Sequence, residues 1–165
     1  MGLRRESRES IGASMVNDAR DNPGSGRFID GEHRFPCRVY FEDTDLTGVV
    51  YHANYLKFME RARSDMLRGA GIDQRKAHET GEGAYAIAAI SVRYRKPARL
   101  DDDLLVFSRF TDVKSASLLI HQRVMLDAVL VAEADVQAAF VSPEGRPRRQ
   151  PAAWIDTFRR LTGAA

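Results

Sequence analysis

The chain has a single cysteine, Cys37, among its 165 residues. That excludes an intramolecular disulfide and cysteine-rich zinc sites, and it suits a reducing cytoplasm, with Cys37 read as a small core residue. Also missing is any apolar run near the roughly 18 residues that a membrane-spanning helix needs. An excess of charge is missing too: the formal net charge is only +2, so the total points to neither nucleic acid nor an anionic membrane as the partner. No internal repeat or low-complexity segment is present. Asp43 and Asp45 form an Asp-x-Asp pair, but no further ligands are spaced to complete a cation site, so neither metal nor cofactor is expected.

What is present is an ordinary soluble balance, 44% hydrophobic and 29% charged, in a length that suits one domain. Residues 1–32 are rich in Arg, Glu, Ser, Asp and Gly and lack the apolar centre of a secretory signal, so they read as a disordered extension. Their interspersed acids argue against a targeting peptide, and Met15 within them is an alternative translation start. The domain is expected over 33–151, followed by a tail over 152–165 that turns helical near Ala152 to Leu161.

From Phe35, apolar positions alternate through Cys37, Val39 and Phe41, the period of a half-buried strand. Tyr55, Phe58, Met59, Ala62 and Met66 then recur at helical spacing, with Lys57, Arg61, Ser64 and Arg68 opposite. Asn54 or a residue just before it is a candidate cap for this helix, and Gly69 or Gly71 its stop. A short irregular or helical connection follows to Gly83. Four further strands are expected over 85–96, 104–113, 117–126 and 129–141, joined by short hairpin-like turns at 97–103, 114–116 and 127–128. One strand, one long helix and an antiparallel meander make an α+β domain of about five strands, its sheet wrapped around the helix. An exposed sheet edge in such a domain calls for a second copy to cover it.

The segment between first strand and helix, Glu42-Asp43-Thr44-Asp45-Leu46-Thr47-Gly48-Val49-Val50-Tyr51-His52-Ala53-Asn54-Tyr55, gathers carboxylates, a glycine and a histidine at a helix start. Unpaired N–H groups at a helix N-terminus hold a developing oxyanion, while a carboxylate just upstream attacks a carbonyl or deprotonates water. Those are the parts that acyl hydrolysis needs. Asp45 is the candidate nucleophile or general base, the two roles being open. Asp43 is assigned to loop support. His52 is divided between its backbone N–H, as a carbonyl-polarising group, and its ring, as a substrate contact or proton donor to the leaving thiolate. Gly48 permits close backbone approach, Val50, Tyr51 and Tyr55 are candidate acyl-pocket residues, and Asn54 is placed to fix the loop. Tyr55 also fits the helix's apolar face. Glu60 is expected to pair with Arg63 or Ser64 one turn on.

Three runs, Val39-Tyr40-Phe41-Glu42-Asp43-Thr44-Asp45, Gly48-Val49-Val50-Tyr51-His52-Ala53-Asn54-Tyr55 and Glu60-Arg61-Ala62-Arg63, together resemble the hotdog-fold acyl-CoA thioesterases. More narrowly, they resemble the 4-hydroxybenzoyl-CoA thioesterase superfamily in its Tol-Pal-associated branch. The resemblance covers residues 34–151. It implies a hotdog fold, dimers often paired into tetramers, and hydrolysis of an acyl-CoA thioester to a free acid and coenzyme A, the latter being part of the substrate. It also implies Asp45 as the catalytic carboxylate, with the backbone at His52 polarising the carbonyl. A contextual role beside the cell envelope, or contact with an acyl-carrier protein, is implied as well. For the phosphates of coenzyme A, Lys114, Ser115, Arg146, Arg148 and Arg149 offer charge-assisted donors. The alternatives are another hotdog activity, such as a hydratase, or a non-hydrolytic acyl-CoA or acyl-carrier-protein binding module.

Overall fold

The computed structural model describes residues 22–162. In chain order the elements are β1 (Arg27–Ile29), β2 (Glu32–Arg38), a 3-10 turn at Phe41–Asp43, α1 (Asn54–Gly69), α2 (Gln74–Glu79), β3 (Ala84–Tyr94), β4 (Asp103–Val113), β5 (Ser117–Leu126), β6 (Val129–Val141) and α3 (Ala152–Thr162). The six strands form one sheet in the order β1-β2-β4-β5-β6-β3, every neighbouring pair antiparallel.

The sheet thus has six strands where about five were expected, and the extra one lies in the segment assigned to a disordered extension. Residues 27–31 form β1 and its turn into β2, because Asp30 (φ 51°) and Gly31 (φ 75°) both adopt the left-handed conformation of a tight hairpin turn. The rest of the expected extension, residues 1–21, falls outside the described residues, as do tail residues 163–165. A second difference concerns β3. It is joined to β4 through residues 95–102 yet pairs with β6, from Ala84↔Val141 to Tyr94↔Ala132. The segment expected to be a hairpin turn is therefore a crossover, and β3 ends up at an edge.

α1 packs its apolar stripe into the sheet. Phe58, Met59, Ala62 and Met66 are fully buried against Val106, Val124 and Val131. The helix ends in a Schellman motif: Ile72 N–H donates to Leu67 O (2.9 Å) and Gly71 N–H to Arg68 O (3.0 Å), with Gly71 at φ 79°. α3 covers the opposite end of the same face, where Phe158 stacks on Phe110.

One polar anchor joins α1 to the N-terminal hairpin. Asp65 accepts from Gly26 N–H (2.7 Å) and lies 3.0 Å from His33 Nε2. A carboxylate only accepts, so Nε2 carries the proton, leaving Nδ1 buried without a partner. Burial pushes the His33 imidazole below 6.5, outweighing the attraction of Asp65. Because the unfolded chain takes up that proton first as pH falls, the stability that neutral His33 contributes is full above about 6.5 and shrinks towards its lower folded value. The melting temperature is expected to fall more steeply between pH 7 and 5 in the native chain than in His33→Gln. Parallel curves in a thermal-melt series would remove His33 from this effect.

Candidate active site

The Asp45 loop is a closed strap. Its two arms pair at Thr44↔Val50, and Asp45 N–H donates to Val49 O (2.9 Å) while Gly48 N–H returns to Asp45 O (2.9 Å). Gly48 makes that turn at φ 78°. An added Cβ there would meet nothing within 4 Å, so the glycine serves the backbone conformation and not a close approach within this chain. The strap is fastened to the 95–102 crossover by Val50 N–H to Ala98 O (2.8 Å).

Asp43 lies beneath the strap, almost wholly buried. Its carboxylate takes Tyr40 N–H (2.8 Å) and its carbonyl takes Asn54 Nδ2 (3.0 Å) and Tyr51 N–H (2.9 Å). It supports the loop. Asn54 belongs to the helix, and α1 begins with no side-chain cap; its amide is spent on the loop instead.

Asp45 itself is partly exposed. One carboxylate oxygen, Oδ1, accepts both the hydroxyl (2.6 Å) and the N–H (2.8 Å) of Thr47. Those bonds, the hydroxyl first, hold the carboxyl below the usual carboxylate range, with smaller help from the backbone N–H of Val49. Thr47 leaves the other oxygen, Oδ2, unengaged, and Val49 N–H also faces the carboxylate. Thr47 was not singled out from sequence, although Asp-x-Thr is a recurring side-chain turn.

At the helix start, Asn54 N–H and Leu56 N–H turn back to the Tyr51 and Ala53 carbonyls. The N–H groups of His52 and Ala53 donate to no acceptor among the described residues. The His52 carbonyl is pinned by the Tyr94 hydroxyl (2.9 Å), and its exposed ring lies between Tyr51 and Tyr94. Tyr94 is a second residue missed from sequence, since the expected strand ran past it. A hollow of about 280 Å³ here is lined by Val50, His52, Tyr55 and Tyr94 and by Arg95, Lys96 and Pro97 of the crossover. Tyr55 is only 3% exposed and its hydroxyl accepts Ala98 N–H (3.1 Å), so most of its ring belongs to the core. A larger cleft, about 960 Å³, lies at the far end, among the β1–β2 turn, β4, β5 and α3. It contains none of the residues just described, so the chemistry is assigned by the Asp45 geometry and not by cavity size.

The candidate phosphate donors do come together, but elsewhere. Gln150 N–H donates to Ser115 O (2.8 Å) and its side chain to Lys114 O (2.7 Å), which sets the 146–150 segment against the β4–β5 turn. Arg148 is committed to the Gly81 and Glu82 carbonyls (2.8 and 2.9 Å), while Arg146 and Arg149 are exposed. This cluster sits by the Ala84 end of β3 and the Asp45 loop by the Tyr94 end, roughly 33 Å apart at the strand rise of about 3.3 Å per residue. Among the described residues no three His, Cys, Asp or Glu side chains are grouped to hold a metal ion, and no helix is long and apolar enough to cross a membrane.

Residues 39–160 match the Thioesterase-like superfamily. The acyl-CoA thioesterase YbgC of Haemophilus influenzae is 41% identical over 113 residues, 68% of this chain and 83% of that protein. The acyl-CoA thioester hydrolase YbgC of Escherichia coli is 40% identical over 129 residues, 77% of this chain and 96% of that protein. Among solved structures, a probable thioesterase from Bartonella henselae superposes with a TM-score of 0.70 at 33% identity, covering 73% of this chain and 99% of the other.

Proposed function

The chain belongs to the Thioesterase-like superfamily and is an acyl-CoA thioester hydrolase, and on that premise we propose that Asp45 is its nucleophile. The observation that carries this reading is the Asp45 carboxylate, its Oδ1 engaged by Thr47, on the strap that leads directly into the unpaired N–H groups of His52 and Ala53. A general base works best with a pKa near the working pH, whereas a nucleophile needs only to be ionised. A carboxyl held below its ordinary range suits the second role.

Asp45 Oδ2 attacks the thioester carbonyl carbon, and the His52 and Ala53 N–H groups take the oxyanion. Collapse breaks the C–S bond and releases coenzyme A thiolate, which takes its proton from solvent. Water then cleaves the mixed anhydride, giving the free acid and restoring Asp45. This account gives His52 its role through the backbone. A common acyl-enzyme makes one further outcome necessary. Coenzyme A and N-acetylcysteamine thioesters of one acyl group are expected to give the same hydroxamate-to-acid ratio in hydroxylamine. A ratio that changes with the thiol would exclude that intermediate.

The reading extends to a dimer. β3 runs for 11 residues at the sheet edge with Ile87, Ile90 and Tyr94 each more than a third exposed, an edge that a second copy covers. Antiparallel pairing of two β3 strands about a two-fold axis sets the Ala84 end of one copy beside the Tyr94 end of the other. It thereby carries the Lys114, Arg146 and Arg149 cluster of one protomer to the Asp45 loop of its partner. The non-hydrolytic binding module is separated from this reading by free-thiol release.

A further inference from the structure

The two N–H groups that take the oxyanion lie on neighbouring peptides, and each peptide is held by its carbonyl. The His52 N–H belongs to the Tyr51–His52 peptide, whose carbonyl accepts Asn54 N–H (2.8 Å) within the turn itself. The Ala53 N–H belongs to the His52–Ala53 peptide, whose carbonyl accepts the Tyr94 hydroxyl (2.9 Å) and no other donor among the described residues. A Glu or Gln three residues after Ala53 would close on that N–H as a capping box does. The chain has Leu56 there, and the N–H stays open.

Tyr94 is placed by the sheet and not by the loop it holds. It closes β3 opposite Ala132, and the next two residues, Arg95 and Lys96, both donate their N–H groups to Val131 O (2.8 and 3.1 Å). Its ring packs on Tyr55, the centroids 5.6 Å apart, and meets the His52 ring nearly at right angles. Tyr55 is itself buried in the core, its hydroxyl fixed by Ala98 N–H. The Tyr94 hydroxyl therefore reaches the helix start from a rigid base. A peptide is planar, and in the trans form its C=O and N–H point in opposite directions; the peptide bonds of the described residues are all trans. Fixing the His52 carbonyl thus fixes the direction of the Ala53 N–H. The same hydrogen bond polarises the amide and strengthens its N–H as a donor, by roughly 10–30%.

Resting on the proposed function, which gives the oxyanion to these two N–H groups, we infer that Tyr94 is a positioning residue of the reaction, its hydroxyl aiming and polarising the Ala53 N–H through the His52 carbonyl. The aimed donor matters most when the carbonyl oxygen gains charge. Loss of the hydroxyl therefore slows the chemical step and leaves ground-state binding in place. The edge strand β3 becomes part of the catalytic apparatus, because it carries the tyrosine.

The test compares the native full chain with Tyr94→Phe. The substitution removes one oxygen from a side chain that is 47% exposed and keeps the ring against Tyr55, so the variant is expected to fold, which a thermal melt verifies. Removing an oxyanion donor outright costs about 10²–10³ in turnover. Here the donor stays and water reaches the vacated carbonyl, so kcat for hexanoyl-CoA is expected to fall less, by about tenfold, with KM unchanged. The second readout is the infrared band of a ketone analogue of hexanoyl-CoA, labelled with carbon-13 at the carbonyl and carrying methylene in place of sulfur. Bound to the native chain, this band is expected below its position in water, and in Tyr94→Phe it is expected to give back part of that displacement. A native-like kcat overturns the inference. So does a fall in kcat with the band unmoved, which would leave Tyr94 a structural tie between β3 and α1. Failure of the underlying reading looks different: the band would already stand at its position in water with the native chain.

Discussion

Asp45→Asn is expected to lower kcat for thiol release by at least about 10²-fold, the lower bound for losing a positioned acid–base group and a minimum for losing a nucleophile, with little change in melting temperature. The amide keeps the side chain's shape and its oxygen can still accept from Thr47, so the strap closed by Thr44 and Val50 stays intact. What is lost is the negative charge and the attacking oxygen. Because Asp45 is held ionised below the ordinary carboxylate range, activity of the native chain should persist as pH falls through that range and fail only beneath it, where Asp45 takes up its proton. Thiol release followed from pH 8 down to about 3, past the ordinary aspartate value of about 3.9, checks this. Near-native turnover by the variant would remove Asp45 from the mechanism.

Placing lysines at Ala86 and Ala89 of β3 is expected to give a monomer and to abolish most turnover at low substrate. Both alanines are exposed on the edge strand, and like charges facing each other across a strand pair are destabilising. The mass in solution should drop from twice 18.5 kDa to 18.5 kDa. With the second copy goes its basic cluster. Two charge-assisted hydrogen bonds to phosphate, each about 1.5–3 kcal/mol, correspond to at least roughly 10²-fold in affinity, read as a raised KM. A variant that is monomeric yet keeps its KM would show that each chain binds its substrate alone.

How much of this was legible in the sequence depends on the range of the forces involved. The apolar spacing of Phe58, Met59, Ala62 and Met66 identified α1, and the alternation in 117–126 and 129–141 identified β5 and β6, because those patterns are imposed by burial along one element. β1 was lost for the opposite reason. Its Asp30–Gly31 turn signal was present, but three residues are too few to show a period, and the polar composition around them read as a leader. The pairing of β3 with β6 was not legible, since a short connection into the next strand does not distinguish a hairpin from a crossover. At the site, Asp43 read as loop support from its place two residues before Asp45, whereas the weight on Asp45 came from the family resemblance of the whole run, since a lone Asp before a glycine turn also reads as a turn or cap residue. Thr47 and Tyr94 act through contacts that only folding creates. Arg63 read only as one of two candidate partners of Glu60, and its burial against Gln122 depends on β5, which is distant in sequence.

The central claim is that one working site combines the Asp45 loop and helix start of one protomer with the basic cluster of its partner. Co-expressing Asp45→Asn with a Lys114→Ala/Arg146→Ala/Arg149→Ala variant, and measuring thiol release from hexanoyl-CoA by the mixed dimers, tests it most directly. Each variant alone is impaired at both of its sites, whereas a mixed dimer contains one site with both parts intact. The account predicts activity well above the sum of the two separate proteins. Activity no greater than that sum, in preparations shown to contain mixed dimers, would contradict it.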